Sequence, residues 1–458
     1  MKKITFTAED SNAVQQITLP ETFSVGFSRI DVTPKEYPFP TFDNRYAETI
    51  HSHVYTTCIA VCDGEELAFF LTSDFRAAYT PMVDRVKEIT RQIAGVSEDH
   101  IFYCTTHNHS GPDIGKIHRI DTAIRWVEEY YAQIPGLIKD ALLDLSPATI
   151  TVGKTETDHL NFTRRYWLED GTFWAIHCGN ASKAPKVAYE TIADPEMRVI
   201  RFHRDGKKDI VLANWQAHAA SDASLRPTIL TADFIHEFRK GAEEQFGVHF
   251  AYFNGACGDV VTGSRIEGDQ PYKDTDELGQ MLVPVLGKTL ENMQPANAGQ
   301  IRFAKGVVQA PLKTFTQERL EQAMEVVCCE DPEQKKALWK KYGFQSKWEA
   351  NALRNISIRR KDHGETFPIR HVAISFGDIG FVQAPYEMFH VNGKQVRDAS
   401  PFPMTFICTN TDGGVGYIPT AEACPRGGYE VYSSSYIPGT GETCALKMAE
   451  LLQKTKQK

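Results

Sequence analysis

Between Phe23 and Asp31 the chain alternates, with Phe23, Val25 and Phe27 on one side of an extended backbone before Thr33-Pro34 closes the run. Apolar runs of strand length recur at 54–62, 67–72, 100–104, 199–202, 210–216 and 249–253. Between them the spacing becomes helical at 82–93, 125–143, 234–246 and 276–293. Strands alternating with helices of this length predict an α/β fold in which β-sheets are flanked by helices.

From 316 to 355 the residues are charged and helix-prone with no strand pattern, which predicts a helical insert or connector. It divides a main domain into 21–315 and 356–458, preceded by a polar arm or edge strand over 1–20. Strands resume at 371–375 and 379–383, followed by a helix over 387–397 and a strand over 404–408. The stretch 410–441 is rich in Gly, Thr, Pro and Tyr, a composition typical of loops that carry function on a rigid scaffold.

The 458 residues, 42% hydrophobic and 24% charged, are those of a folded soluble protein. A formal net charge of -9 leaves no basic footprint, which argues against nucleic acid as a partner. The basic start Met1-Lys2-Lys3 has no apolar run behind it, and no stretch approaches the roughly 20 apolar residues of a membrane span. The ten cysteines are scattered, which suits reduced thiols in a cytoplasm.

The strongest chemical signal is Phe102-Tyr103-Cys104-Thr105-Thr106-His107-Asn108-His109-Ser110-Gly111-Pro112. In an extended backbone residues i and i+2 point the same way, so His107 and His109 can offer two nitrogens to one metal ion. Two strand-end histidines satisfied by neighbouring carboxylates would read the same. His218 ends the apolar run 210–216, and strand ends are where α/β sheets place ligands, although a lone histidine there also suits a hydrogen-bonded core position.

Six short motifs stand in order from about 25 to 430. They are Val25-Gly26-Phe27-Ser28-Arg29-Ile30-Asp31-Val32-Thr33-Pro34, the His107 segment, Asn214-Trp215-Gln216-Ala217-His218, Asn254-Gly255-Ala256-Cys257-Gly258-Asp259-Val260, Pro385-Tyr386-Glu387-Met388-Phe389 and Gly416-Tyr417-Ile418-Pro419-Thr420. Together they resemble the catalytic domain of the neutral/alkaline, non-lysosomal ceramidase family, whose members are zinc amidases.

Position by position, the resemblance implies zinc held by His107, His218, Glu387 and Tyr417, with His109 beside a metal-activated water. Read alone, Glu387 also suits a helix N-terminus, and Tyr417 an aromatic anchor in a glycine-rich loop. Asn161-Phe162-Thr163-Arg164-Arg165-Tyr166 is similar to the family segment that places an arginine in the active site. Two extra residues separate Asn161 from the arginines here, so Arg164 or Arg165 would fill that role, with a surface salt bridge as the ordinary alternative. Asp233 and Asp259 are candidates for orienting a metal-bound imidazole. The family serine that follows Gly-Asp-Val is replaced by Val261, with Thr262 and Ser264 beyond it, which points to direct attack by metal-activated water.

The sequence also lacks the family's C-terminal immunoglobulin-like domain and a signal peptide, which predicts a cytoplasmic enzyme that acts on a soluble small molecule rather than on membrane ceramide. The expectation is therefore a zinc-dependent hydrolase cleaving the amide-type (N-acyl) bond of a polar substrate, such as an amino-sugar or amino-acid conjugate. The alternatives are an ester, lactone or glycosidic bond on the same scaffold, or a zinc-stabilised binding protein without turnover. The lack of a cysteine-rich cluster favours catalysis.

Overall fold

In strand β1 (Ser24–Asp31) Val25 and Phe27 enter one core, while Ser28 turns the other way and donates its hydroxyl to the Leu137 carbonyl at 2.6 Å. The computed structural model describes residues 3–7, 14–42, 45–115, 120–175 and 184–457. The chain continues through β2 (Tyr55–Cys62), β3 (Leu67–Ser73), α1 (Thr80–Ala94), β4 (Ile101–Thr105), α2 (Asp121–Leu143), β5 (Ser146–Glu156), β6 (Glu196–Arg204), β7 (Ile210–Trp215), α3 (Phe234–Phe246), β8 (His249–Asn254) and α4 (Thr275–Glu291). These strands pair in the order β8-β7-β6-β5-β1-β2-β3-β4, with Gln294–Ala296 attached to β5. Neighbours run antiparallel except β3 with β4 and β7 with β8, which are parallel.

After β9 (Ile301–Pro311) come three helices, α5 (Gln317–Cys328), α6 (Pro332–Lys341) and α7 (Lys347–His363). Then follow β10 (Thr366–Phe376), β11 (Ile379–Ala384), α8 (His390–Asp398), β12 (Met404–Thr409) and α9 (Thr440–Gln457). Strands β9-β10-β11-β12 form a second sheet in that order.

The two sheets pack face to face. Phe70 of the first meets Phe381 of the second with ring centroids 4.7 Å apart, within a core that also holds Val25, Phe202, Ile374 and Phe406. The outer face of the first sheet is covered by α1 and α2 on one half and by α3 and α4 on the other, and α7, α8 and α9 cover the second sheet. The order of layers is thus helix, sheet, sheet, helix. Burial on both faces explains the unbroken apolar runs: Cys58, Ala60 and Cys62 of β2 face the helices, while Ile59 and Val61 face the other sheet. Gly26 is required by this packing, because a Cβ there would lie 2.0 Å from the Ala141 carbonyl oxygen of α2.

The helical segment expected over 316–355 extends to His363 and encloses a small core of Ala323, Val326, Phe344, Ala350 and Leu353. The N-terminal arm is a hairpin of Lys3–Thr7 with Val14–Thr18; residues 1–2 and 8–13 of it lie outside the described residues. The helix expected at 387 begins at His390 instead, because Glu387–Met388 stays extended and pairs in parallel with Tyr417–Ile418. Among the described residues no helix is long and apolar enough to cross a membrane.

Candidate metal centre

His107, His109 and His218 come together with their ring nitrogens within 4.8 Å of one another. Strand β4 ends at Thr105, and His107 takes a left-handed backbone, φ 59°, so the pair converges through a turn rather than through the extended pleat expected from the sequence. That turn is pinned by Asn108, whose amide donates to the carbonyls of Asp74 at 3.2 Å and Thr231 at 2.6 Å. The backbone N–H of His109 donates to Ala219 at 2.8 Å, which ties the turn to the His218 segment.

His218 lies three residues beyond β7 and bridges to Val261. Glu387 and Tyr417 arrive as directly opposed residues of the two-residue parallel pair. Gly258 lets the 257–260 turn press against that pair, since a Cβ there would stand 2.5 Å from the Glu387 carbonyl oxygen.

Both buried imidazoles have their outer nitrogen committed. His107 Nδ1 lies 2.8 Å from the Arg76 carbonyl and His218 Nδ1 lies 3.0 Å from the Val260 carbonyl. A carbonyl only accepts, so each Nδ1 carries a proton, and in the neutral ring it is Nε2 that is left to offer a lone pair inward. Those lone pairs face Glu387 Oε2, 3.3 Å from His107 Nε2 and 3.0 Å from His218 Nε2. His109 Nε2 lies 3.2 Å from His107 Nε2, and the Tyr417 hydroxyl 3.5 Å from His218 Nε2.

Burial, the Arg164 guanidinium and His107 push His218 down to about 4, so it is uncharged at neutral pH. His109 is also held well below the usual imidazole value by burial and by His107, Arg76 and His218. Burial raises the Glu387 carboxyl, and His107 and His218 more than offset this, holding it well below the usual carboxylate range. An ionised carboxylate between two imidazoles whose outer nitrogens are committed to carbonyls is an arrangement complementary to a cation.

The donor set fits a divalent metal on geometry as well as charge. Four donors about 2.0–2.1 Å from a tetrahedral ion are separated by roughly 3.3–3.4 Å. The separations of 3.3, 3.0 and 3.5 Å among His107, His218, Glu387 and Tyr417 are close to those edges. Imidazole nitrogens with one carboxylate are donors that suit zinc.

The two arginines divide. Arg164 Nη2 donates to the Tyr417 hydroxyl at 2.9 Å and to the Gly258 carbonyl at 2.8 Å, while its Nε donates to Glu430 at 2.6 Å. Arg165 instead lies among Glu190, Glu430 and the carbonyls of Gly427 and Ala423. Arg164 therefore joins the histidine cluster, and Arg165 braces the short helix Tyr429–Ser433 that carries Glu430.

Neither aspartate bonds to a metal-side imidazole. Asp259 takes hydrogen bonds from the His390 N–H at 2.9 Å and from His390 Nδ1 at 2.8 Å, and its own carbonyl accepts from Arg164 N. Asp233 caps α3 and accepts from Phe234 N and Asp222 N. Backbone carbonyls do the orienting that was expected of these carboxylates. Thr262 bonds to Ser221 at 2.6 Å and Ser264 to Tyr189 at 2.6 Å, so both hydroxyls are engaged away from the histidines.

Sequence reasoning missed Phe42, Arg76, Tyr429 and Glu430, all brought to the site by the fold. The Tyr429 ring meets Tyr417 at 5.2 Å, and Phe42 meets His109 at 4.5 Å. Arg76 and Phe42 stand in polar, irregular stretches without a motif, and only proximity to His107 and His109 marks them.

No protein-family model and no curated protein matches the sequence. Solved structures do: the neutral ceramidase from Pseudomonas aeruginosa superposes with a TM-score of 0.70 at 14% identity, covering 96% of this chain and 75% of that one. A ceramidase complexed with C2 superposes with a TM-score of 0.70 at 13% identity, covering 96% and 76%. At that identity the likeness is one of fold, and the chain has the mixed α/β fold of neutral ceramidase, with sheets flanked by helices.

Proposed function

We propose that the protein is a zinc-dependent hydrolase that cleaves an amide-type (N-acyl) bond of a soluble polar substrate. The observation that carries this reading is the convergence of the His107 and His218 Nε2 atoms on the ionised Glu387 carboxylate at 3.0–3.3 Å. The fold shared with two ceramidases supports the choice of an amide bond.

His107, His218 and Glu387 would hold the metal, with the Tyr417 hydroxyl as a further donor. A bound zinc supplies a Lewis acid and lowers the pKa of a coordinated water toward about 7. His109, kept uncharged and partly open to solvent, accepts the proton of the attacking water and returns it to the departing amine. Arg164, anchored by Glu430, positions the Tyr417 hydroxyl and places a positive charge beside the carbonyl oxygen as negative charge develops there. Val261 puts no hydroxyl in line, so water rather than a side chain attacks.

Protein purified without added metal should contain about one zinc per chain. His107→Ala and His218→Ala should lose it together with activity. A turnover screen of N-acylated sugars, N-acyl amino acids and sphingolipids against simple esters and glycosides identifies the bond. Full activity in metal-free protein, or turnover confined to esters or glycosides, would sink this reading.

A further inference from the structure

Arg76 stands beside the histidine cluster, where Asp113 and Glu387 act on its charge from beyond ion-pair distance. Its carbonyl accepts the His107 Nδ1 hydrogen bond at 2.8 Å, which ties its backbone to the site. Its guanidinium carbon lies 4.0 Å from the centroid of the Phe42 ring, and the same ring meets His109 edge-on at 4.5 Å. Phe42, Arg76 and His109 are partly exposed, whereas His107, His218, Glu387, Tyr417 and Arg164 are buried, so these three side chains form the open side of the cluster.

The donors of Arg76 are incompletely used. Nη1 donates to the Tyr79 hydroxyl at 2.9 Å, and that hydroxyl donates on to Asp113 at 3.1 Å. Nε is shielded from solvent with no hydrogen-bond partner, and among the described residues no carboxylate lies within ion-pair distance of the guanidinium. Arg164 and Arg165, by contrast, are each paired with buried glutamates. A guanidinium with incompletely met donors gains from an incoming acceptor, and a partly exposed fork stacked on an aromatic ring is shaped to receive a planar carboxylate.

We propose that Arg76 binds a carboxylate carried by the substrate, so that the amide hydrolysed is an N-acyl amino acid or a related anionic amide. This rests on the amide-hydrolase reading above. One fork and one positive charge match a monoanion; a phosphate dianion would bring surplus negative charge next to Glu387. Water adds across the C–N bond, the acyl carbon leaves as a carboxylic acid, and the nitrogen takes the proton to leave as the free amino acid. The carboxylate on Arg76 is unchanged by the reaction and serves to orient the bond.

The test uses the zinc-loaded full chain with matched N-acetyl amino acids and their carboxamides, plus an N-acetylated sugar phosphate as the phosphate arm. Calorimetric binding and turnover are both measured. The acids should bind and turn over at least about tenfold better than the amides, with the preference residing in KM, as expected for a charge-assisted hydrogen bond. Arg76→Gln should bring the acid-to-amide ratio close to one with zinc content and melting temperature retained, and Arg76→Lys should restore part of it. Equal handling of acids and amides, a ratio unchanged in Arg76→Gln, a preference for the phosphate, or no binding of any acid overturns the assignment. Acid-selective binding without turnover supports Arg76 and refutes amide hydrolysis; turnover of amides with no preference does the reverse.

Discussion

Glu387→Gln alters one charge at the centre of the site while preserving its volume. The wild-type Oε2 stands 3.0 Å from His218 Nε2 and 3.3 Å from His107 Nε2, and with each Nδ1 proton given to a backbone carbonyl the metal-binding form of each ring has Nε2 as an acceptor. An amide at this position can donate where the carboxylate cannot. In metal-free protein the substitution should therefore add neutral hydrogen bonds worth about 0.5–1.5 kcal/mol each, and the melting temperature should hold or rise. With zinc the sign reverses, since a charged ligand has been lost. We expect affinity to fall about a hundredfold, which is about 2.7 kcal/mol.

For a chain of 458 residues the unfolding entropy is about 1 kcal/mol per kelvin. Zinc at a thousand times its Kd then raises the wild-type melting temperature by about 4 °C, and the same zinc raises that of the variant by about 1.5 °C. Thermal melts of chelator-treated protein over a zinc series, with affinity from competition against a fluorescent chelator, read both quantities. If Glu387 were only a structural partner for protonated imidazoles, breaking the pair would cost about 3–5 kcal/mol in metal-free protein and leave zinc affinity unchanged. That outcome would refute the reasoning.

Two further outcomes follow from the same geometry. His109→Ala should retain zinc by elemental analysis while kcat falls about 10²–10⁴-fold, because the ring that moves the proton is removed and the buried donors remain; loss of metal would instead make His109 a ligand. Burial and the adjacent Asp222 push the Asp233 carboxyl up to about 8, so the stability it contributes is full below the unfolded value near about 4 and is lost as pH rises toward 8. Asp233→Asn tolerates the positive φ, forfeits about 1 kcal/mol with the Asp222 N–H bond, and should show a flatter fall in melting temperature between pH 5 and 8; equal slopes would count against the shift.

Much of the fold was legible because burial on both faces writes strands as continuous apolar runs. Helix α3 matched its predicted span, and β2, β3, β8 and β12 fell within a residue or two. Strands β5 and β9 were missed: β5 is half-covered and rich in threonine, and β9 alternates irregularly with glycine inside it. Helix α9 was missed although Cys444, Ala445, Met448, Leu451 and Leu452 repeat with helical spacing, because the glycine-rich stretch before it drew the region toward loops.

At the site, residue type marked His107, His109 and His218 as candidate nitrogen donors, with hydrogen-bonded strand-end histidines as the alternative. Order along the chain added Glu387 and Tyr417 through resemblance. Which atoms meet was left to tertiary structure. The positive φ of His107, the two-residue pairing of Glu387 with Tyr417 and the carbonyls of Arg76 and Val260 together aim the nitrogens inward. Between two adjacent arginines, Glu430 and Glu190 decided that Arg164 faces the cluster and Arg165 does not. Local sequence carries propensity and chemistry; the direction of a side chain and the partner it finds depend on segments more than a hundred residues away, and only the packed sheets bring those together.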